Sequence, residues 1–271
     1  YGGGLYCLRS SPILQDCIIE DCTTANHGGA VFLAGGSAVH LTSCALRRNA
    51  ANGTGGALYA AYSDAVLTDC VMDANTALNG GGACFIAESA ATLTNCAITA
   101  NTGGGVALQG NCPTVFRDCA IEGNTSPGSG GGVGLSATGP AFIGCRIAGN
   151  DAAADGGGII AAGSASFEDC LVTGNRATGG GGGVSASSAT LAVTGTTISR
   201  NDAGESGSDL HATGTSDLTL TRVIIWAGCG SDDAYVSGAS TLRFDCCAED
   251  PGRITGPGQV QYLGDQVNGH P

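Results

Sequence analysis

Charge is scarce in this sequence. Of 271 residues, only 12% are Asp, Glu, Lys or Arg, and 10 of them are basic. With 23 acids the net charge is −13. Phosphate backbones would be repelled, which argues against nucleic acid as a partner and against an anionic membrane surface. Aromatic residues are also few, at 5%, with one Trp, Trp226, and one Met, Met72. No apolar run approaches the roughly 20 residues of a membrane-spanning helix. Nor is there a sustained 3.6-residue apolar period, so a helical fold is excluded.

Small residues are abundant instead. There are 48 Gly, and 42% of the chain is hydrophobic. Disordered chains are charged and poor in apolar residues, so this is not one. Glycine without a Gly-X-Y period excludes collagen. Fourteen cysteines would ordinarily suggest a disulfide scaffold, but most of them fall in a repeat.

The stretch Leu93-Thr94-Asn95-Cys96-Ala97-Ile98-Thr99-Ala100-Asn101, followed by Gly103-Gly104-Gly105, shows the repeating unit. Its cysteine recurs as Cys17, Cys44, Cys70, Cys96, Cys119, Cys145 and Cys170, at steps of 27, 26, 26, 23, 26 and 25 residues. The register continues through Thr196 and Val223 to Cys247. Three positions earlier stands an apolar residue, from Leu14 and Leu41 through Phe116, Phe142 and Phe167 to Phe244. Five positions after the cysteine come Asn49, Asn75, Asn101, Asn124, Asn150, Asn175 and Asn201. The first unit has Cys22 there, and the last two have Gly228 and Gly252.

Apolar residues alternate on either side of each cysteine, which is strand periodicity. The step from Leu93 to Cys96 is odd, so one unbroken strand cannot point both inward, and the chain must bend at Thr94-Asn95. The Asn and glycine region makes a second corner. Three short strands in about 26 residues describe one rung of a parallel β-helix. The expected fold is therefore all-β: a right-handed parallel β-helix of about ten rungs. It would form a single solenoid over residues 1–271, regular over 1–201 and less regular over 202–271. Stacking at the strand spacing of about 4.8 Å gives a rod on the order of 45–50 Å. The Asn column is expected as an inward hydrogen-bonding ladder, and the Cys column as small core residues. The opening Tyr1-Gly2-Gly3-Gly4 falls within a repeat, so a segment of a longer protein is expected.

Few residues offer chemistry. Side chains in an in-register column run parallel rather than facing, which favours free thiols over bridges for the repeating cysteines. Steps of 23 to 27 residues are no metal-ligand motif. Cys229 and Cys246, off register near one corner of consecutive late rungs, are the candidate disulfide. Asp16, Asp69, Asp118 and Asp169 precede the cysteine in four units, but Ser43, Asn95 and Gly144 intervene. Polar corner residues are therefore favoured over a Ca²⁺ site or an acid/base pair. Asp232-Asp233 and Glu249-Asp250 make an acidic end that could hold a cation, leaving Ca²⁺ as the one candidate cofactor. His27, His40, His211 and His270 sit in no catalytic motif. No catalytic, cofactor or metal residue is assigned. Tyr59, Tyr62 and Tyr235 remain as candidate sugar platforms.

The Ile-x-x-Asn of Ile98 to Asn101, Ile121 to Asn124 and Ile147 to Asn150 resembles the repeated motif of polymorphic outer-membrane proteins. Gly28-Gly29-Ala30-Val31 and Gly55-Gly56-Ala57-Leu58 are similar to their Gly-Gly-Ala-Ile motif, which drifts to Gly-Gly-Val-Ala at Gly104 to Ala107. Many bacterial β-helix proteins of the cell surface share these motifs. The resemblance implies an autotransporter-type passenger, extracellular or on the outer cell surface, often an adhesin. No membrane barrel accompanies it in this sequence.

The resulting expectation is a non-catalytic secreted or cell-surface segment serving as stalk, filament unit or adhesive face. Its partners would be neighbouring rungs or further copies stacked end to end, and a host surface or glycan. The alternative is a carbohydrate-active enzyme, lyase or hydrolase, on the same scaffold, since one fold hosts both roles. Any function should lie where the copies differ: at Cys112, at the 23-residue step, and after Asn201.

Overall fold

A computed structural model describes residues 2–226, 232–245, 247 and 253–263. All of its strand pairings are parallel, joining each unit to the next, so the chain winds as a solenoid. Turns are counted here from the residue before each first-face strand: Gly4, Ala30, Ala57, Ala83, Gly105, Gly132, Gly158, Gly183, Asp209 and Asp233, with Arg253 opening an eleventh.

In turn three the first face is Leu58–Ala61, the second Asp64–Thr68 and the third Val71–Asp73. The third face is nine strands long, so nine turns carry all three faces among the described residues. Strand Val133–Ile143 runs through the first and second faces and joins them into one 21-stranded sheet. Most turns add a fourth, two-residue pairing just after the Asn, as at Thr76–Ala77. The expected three-strand rung lacks this segment. It carries no apolar alternation of its own, and tertiary stacking alone brings it into register.

The inward columns follow the repeat. Leu41, Leu67, Leu93, Phe116, Phe142 and Phe167 are successive partners on the second face. Leu46, Met72, Ile98, Ile121 and Ile147 do the same on the third. All but Phe167 are 0% exposed. Phe116, Phe142 and Phe167 stack inside the rod with centroids 4.7 and 4.9 Å apart. Because each inward residue meets the like residue above and below, burial and stacking reinforce one another.

Left-handed residues make the corners. The position before the repeating cysteine has positive φ in nine turns, held by Asp16, Ser43, Asp69, Asn95, Asp118, Gly144, Asp169, Gly195 and Arg222. Asp, Asn and Gly adopt this conformation at least cost, which accounts for the acids at this corner. A Cβ on Gly144 would run into the Asp118 carboxylate, and one on Gly195 into that of Asp169. At Asn95 the successor side chain instead bonds the carboxylate beside it, Nδ2 donating to Asp69 Oδ1 (2.6 Å).

The Asn ladder is continuous. In turn five, Asn124 accepts at Oδ1 from the Asn101 backbone N–H (3.0 Å) and Nδ2 (2.9 Å). Its own N–H and Nδ2 donate to Asn150 Oδ1, both at 3.0 Å, and Nδ2 also donates to the Ile98 carbonyl (3.0 Å). The pattern runs from Cys22, whose N–H donates to Asn49, through Asn75 and Asn175 to Asn201. The residue opening each turn lies against the Asn of that turn: a Cβ on Gly132 would stand 2.9 Å from Asn150 Nδ2. That position is Gly or Ala in turns one to eight.

Candidate functional site

The outward side of the first face carries a second column. Tyr6, Phe32, Tyr59 and Phe85 are successive register partners in turns one to four. Their rings stack with centroids 5.4, 4.9 and 5.4 Å apart and planes within 4–5°. His27 adds a ring on Tyr59 at 4.9 Å. The Thr54 N–H donates to its Nδ1 (3.1 Å), and Thr54 Oγ1 lies 2.9 Å from the same atom. The rod supplies this geometry without special side-chain packing, because rungs stacked at the strand spacing hold like rings near van der Waals separation.

Beside the rings runs a column of small residues, Ala61 and Ala87, continued by Gln109 and Ser136. The far wall is the next bend, where Tyr62, Glu88 and Gly110 all have positive φ. The Tyr62 ring is 71% exposed. Glu88 is held at Oε2 by the Asn111 N–H (3.1 Å), so its carboxylate is fixed at the rim. These walls enclose an open groove of about 520 Å³ with His27, Tyr59 and Phe85 on one side and Tyr62 and Glu88 on the other.

The groove ends where the copies change. Past Phe85 the ring column is replaced by Ala107 and Gly134, at the drifted Gly-Gly-Val-Ala motif. Gly105 follows Asn101 by four positions, whereas Ala83 follows Asn75 by eight. The loop that would cover this position is thus missing. A depression of about 370 Å³ opens there between Leu78-Asn79 and Ser126 to Gly130. The short step lines this depression at Gly103, and strand Val106–Asn111 after it supplies Gln109 and Gly110 to the groove.

Of the tyrosines proposed as sugar platforms, Tyr59 and Tyr62 face each other across the groove. Tyr235 stands apart, against His211 at 5.3 Å. Phe32, Phe85, His27 and Glu88 escaped the sequence reading. The signal was present: each ring lies two residues beyond a repeated Gly-Gly-Ala, at Phe32, Tyr59 and Phe85.

The thiols are enclosed. Cys44, Cys70, Cys96, Cys119, Cys145 and Cys170 are all buried. Each donates to the carbonyl two residues before it, as Cys96 does to Thr94 (3.3 Å). The eleven cysteines from Cys7 to Cys170 are free. Desolvation pushes Cys84 up to about 12 and also raises Cys44 and Cys112. The candidate pair Cys229 and Cys246 lies outside the described residues, as do Glu249 and Asp250. Asp232 is held by the Gly207 N–H (3.0 Å) and the Thr255 hydroxyl (2.6 Å). Among the described residues no group of three or more His, Cys, Asp or Glu is placed to hold a metal ion.

The continuous parallel winding defines a β-solenoid. The family model for a right handed beta helix region matches residues 29–203, well over half of the chain, and the chain belongs to that family. A solved structure of pectate lyase Pel9A aligns with a TM-score of 0.49 at 10% identity, covering 85% of this chain and 68% of that one. A likeness so slight carries no argument about activity. No curated protein matches the chain in sequence. The family match concerns the repeat architecture and does not single out outer-membrane passengers.

Proposed function

We propose that this chain is a non-catalytic binding segment of a surface-displayed β-helix protein, and that the groove beside the stacked rings takes a neutral saccharide chain. The ring column beside the groove carries the reading. Its rings are parallel and stacked, so Phe32 and Phe85 cover the two faces of Tyr59, whereas Phe85 ends the column at Ala107 and, among the described residues, has no ring on its second face. A sugar ring presents an apolar face to an aromatic one, and its rim of hydroxyls needs a few fixed polar partners. Glu88, Gln109, Thr54 and Tyr62 are such partners along the groove. An anionic polymer would meet Glu88 and the net charge of −13, so a neutral one is favoured. Glycoside hydrolysis ordinarily uses two carboxylates flanking the bond, and among the described residues Glu88 is the only acid lining this groove. An adhesive role places the rod outside the cell.

Calorimetric titration with a panel of neutral oligosaccharides tests this. At least one should bind and be recovered intact. Tyr59→Ala and Phe85→Ala should each weaken it tenfold or more, with the β-sheet circular dichroism unchanged. Absence of binding across the panel, or cleavage products that vanish in Glu88→Gln, would overturn it.

A further inference from the structure

The Asn ladder ends on a carboxylate. Asn201 has no following Asn; the sequence register puts Gly228 there. Its Nδ2 and backbone N–H donate instead to Asp209 Oδ1, at 2.7 and 3.2 Å. Asp209 opens turn nine, the position held by Gly or Ala in every earlier turn. It is 0% exposed, and its second oxygen, Oδ2, is buried without a hydrogen-bond partner. An amide in this place would be neutral. A carboxylate is neutral only when it carries a proton, and a buried charge short of partners is costly.

We infer that Asp209 closes the ladder as a neutral carboxylic acid, and that its ionisation weakens the junction between turns eight and nine. The rod would then open there as the medium moves from acid to neutral. The surroundings agree. Asp233 opens the next turn and accepts backbone N–H bonds from Asp209 and Leu210, both at 3.0 Å. Its carboxylate lies 2.9 Å from Arg253 Nε. Desolvation, opposed by the Asn201 hydrogen bonds, places the Asp209 pKa at about 7; Asp233 raises it and Arg253 lowers it. Asp232 is bonded as described above, and His211, on the same strand, is held below the ordinary histidine range by burial. On the turn-eight side stand uncharged Gly183 and Asn201, with Asp202 beyond, 3.6 Å from Arg176.

The sign follows from linkage. Asp209 binds its proton more tightly folded than unfolded, against an ordinary value of 3.8. Its stabilisation is therefore complete below that value, declines as pH rises, and is spent above about 7. Tenfold per pH unit in this window gives on the order of 100-fold more opening at pH 8 than at pH 5.

Hydrogen exchange on the full chain, corrected for intrinsic rates, reads this directly. Between pH 5 and 8, protection over Leu210–Thr221 should fall on the order of 100-fold relative to Val31–Thr194. Trp226, the only Trp, lies in turn nine and gives a second readout by acrylamide quenching. Asp209→Asn keeps the acceptor and cannot ionise, so it should remove the pH dependence and stay protected at pH 8. Asp233→Asn should leave a pH dependence in place. Equal protection at pH 5 and 8 in the natural chain would overturn the inference. So would an unchanged pH response in Asp209→Asn, or its loss in Asp233→Asn alone.

Discussion

Each interior asparagine of the ladder is satisfied on both sides. Replacing Asn124 by Ala removes the acceptor of the Asn101 N–H and of one Nδ2 hydrogen, the other staying on the Met72 carbonyl, and removes the Nδ2 donor to the Ile98 carbonyl, all in buried surroundings. At about 1–3 kcal/mol for each stranded buried group, the loss should be about 3 kcal/mol or more, read as a lower midpoint in denaturant melts. A loss below about 1 kcal/mol, within the range of an ordinary surface change, would mean that water or neighbours replace the amide. The recurrence of Asn at a fixed offset was plain in the sequence, because a ladder requires the same side chain in every turn. Asp209 was not legible as its terminator. Nothing local marks it: eight residues separate it from Asn201, and only the winding brings the two together.

At the scale of the element, two rows of stacked rings differ in their surroundings. The inner row of Phe116, Phe142 and Phe167 is enclosed, so Phe142→Ala removes both burial and two stacking partners. A cost of about 3–5 kcal/mol is expected. In the outer row Tyr6 is exposed, Tyr59 and Phe85 are half-buried and Phe32 is buried. Tyr59→Ala should cost only about 1 kcal/mol in stability while it weakens the proposed saccharide binding tenfold or more. Comparing the two variants by thermal melts and titration separates core from face; similar losses of stability would show that the outer row is structural. The inner row could be read from its offset to the repeating cysteine. The outer row was harder to see because alternation says which residues point away from the core, but not that rings in separate turns will touch. The groove wall at Tyr62 and Glu88 depends on a left-handed bend that no periodicity marks.

At the scale of the whole molecule, a solenoid is held by contacts between neighbouring turns, and its interior is closed along its length. Cys17 and Cys22 in turn one are half-buried, whereas the other described cysteines are buried. Among the described thiols, iodoacetamide should label Cys17 and Cys22 first in the native protein, and Cys44 to Cys170 only with denaturant. Mass spectrometry after brief labelling gives the order. Early labelling of Cys96 or Cys119 would mean that the middle of the rod opens readily. Exposed ion pairs such as Arg48 with Asp21, at 2.8 Å, link adjacent turns but add little, since surface pairs contribute roughly 0–1 kcal/mol each.

The sequence by itself determined the solenoid, its inward columns and its Asn ladder. These are repeated in every unit, and a repeat that must stack on itself leaves its requirements at a fixed spacing. Tertiary structure alone decided which non-repeating residues meet. His27 against Tyr59, Tyr62 and Glu88 across the groove, and Asp209 beneath Asn201 each depend on how far the chain winds before it returns. That distance changes where a loop is shortened or a corner is altered, so the candidate sites follow from the departures from the repeat.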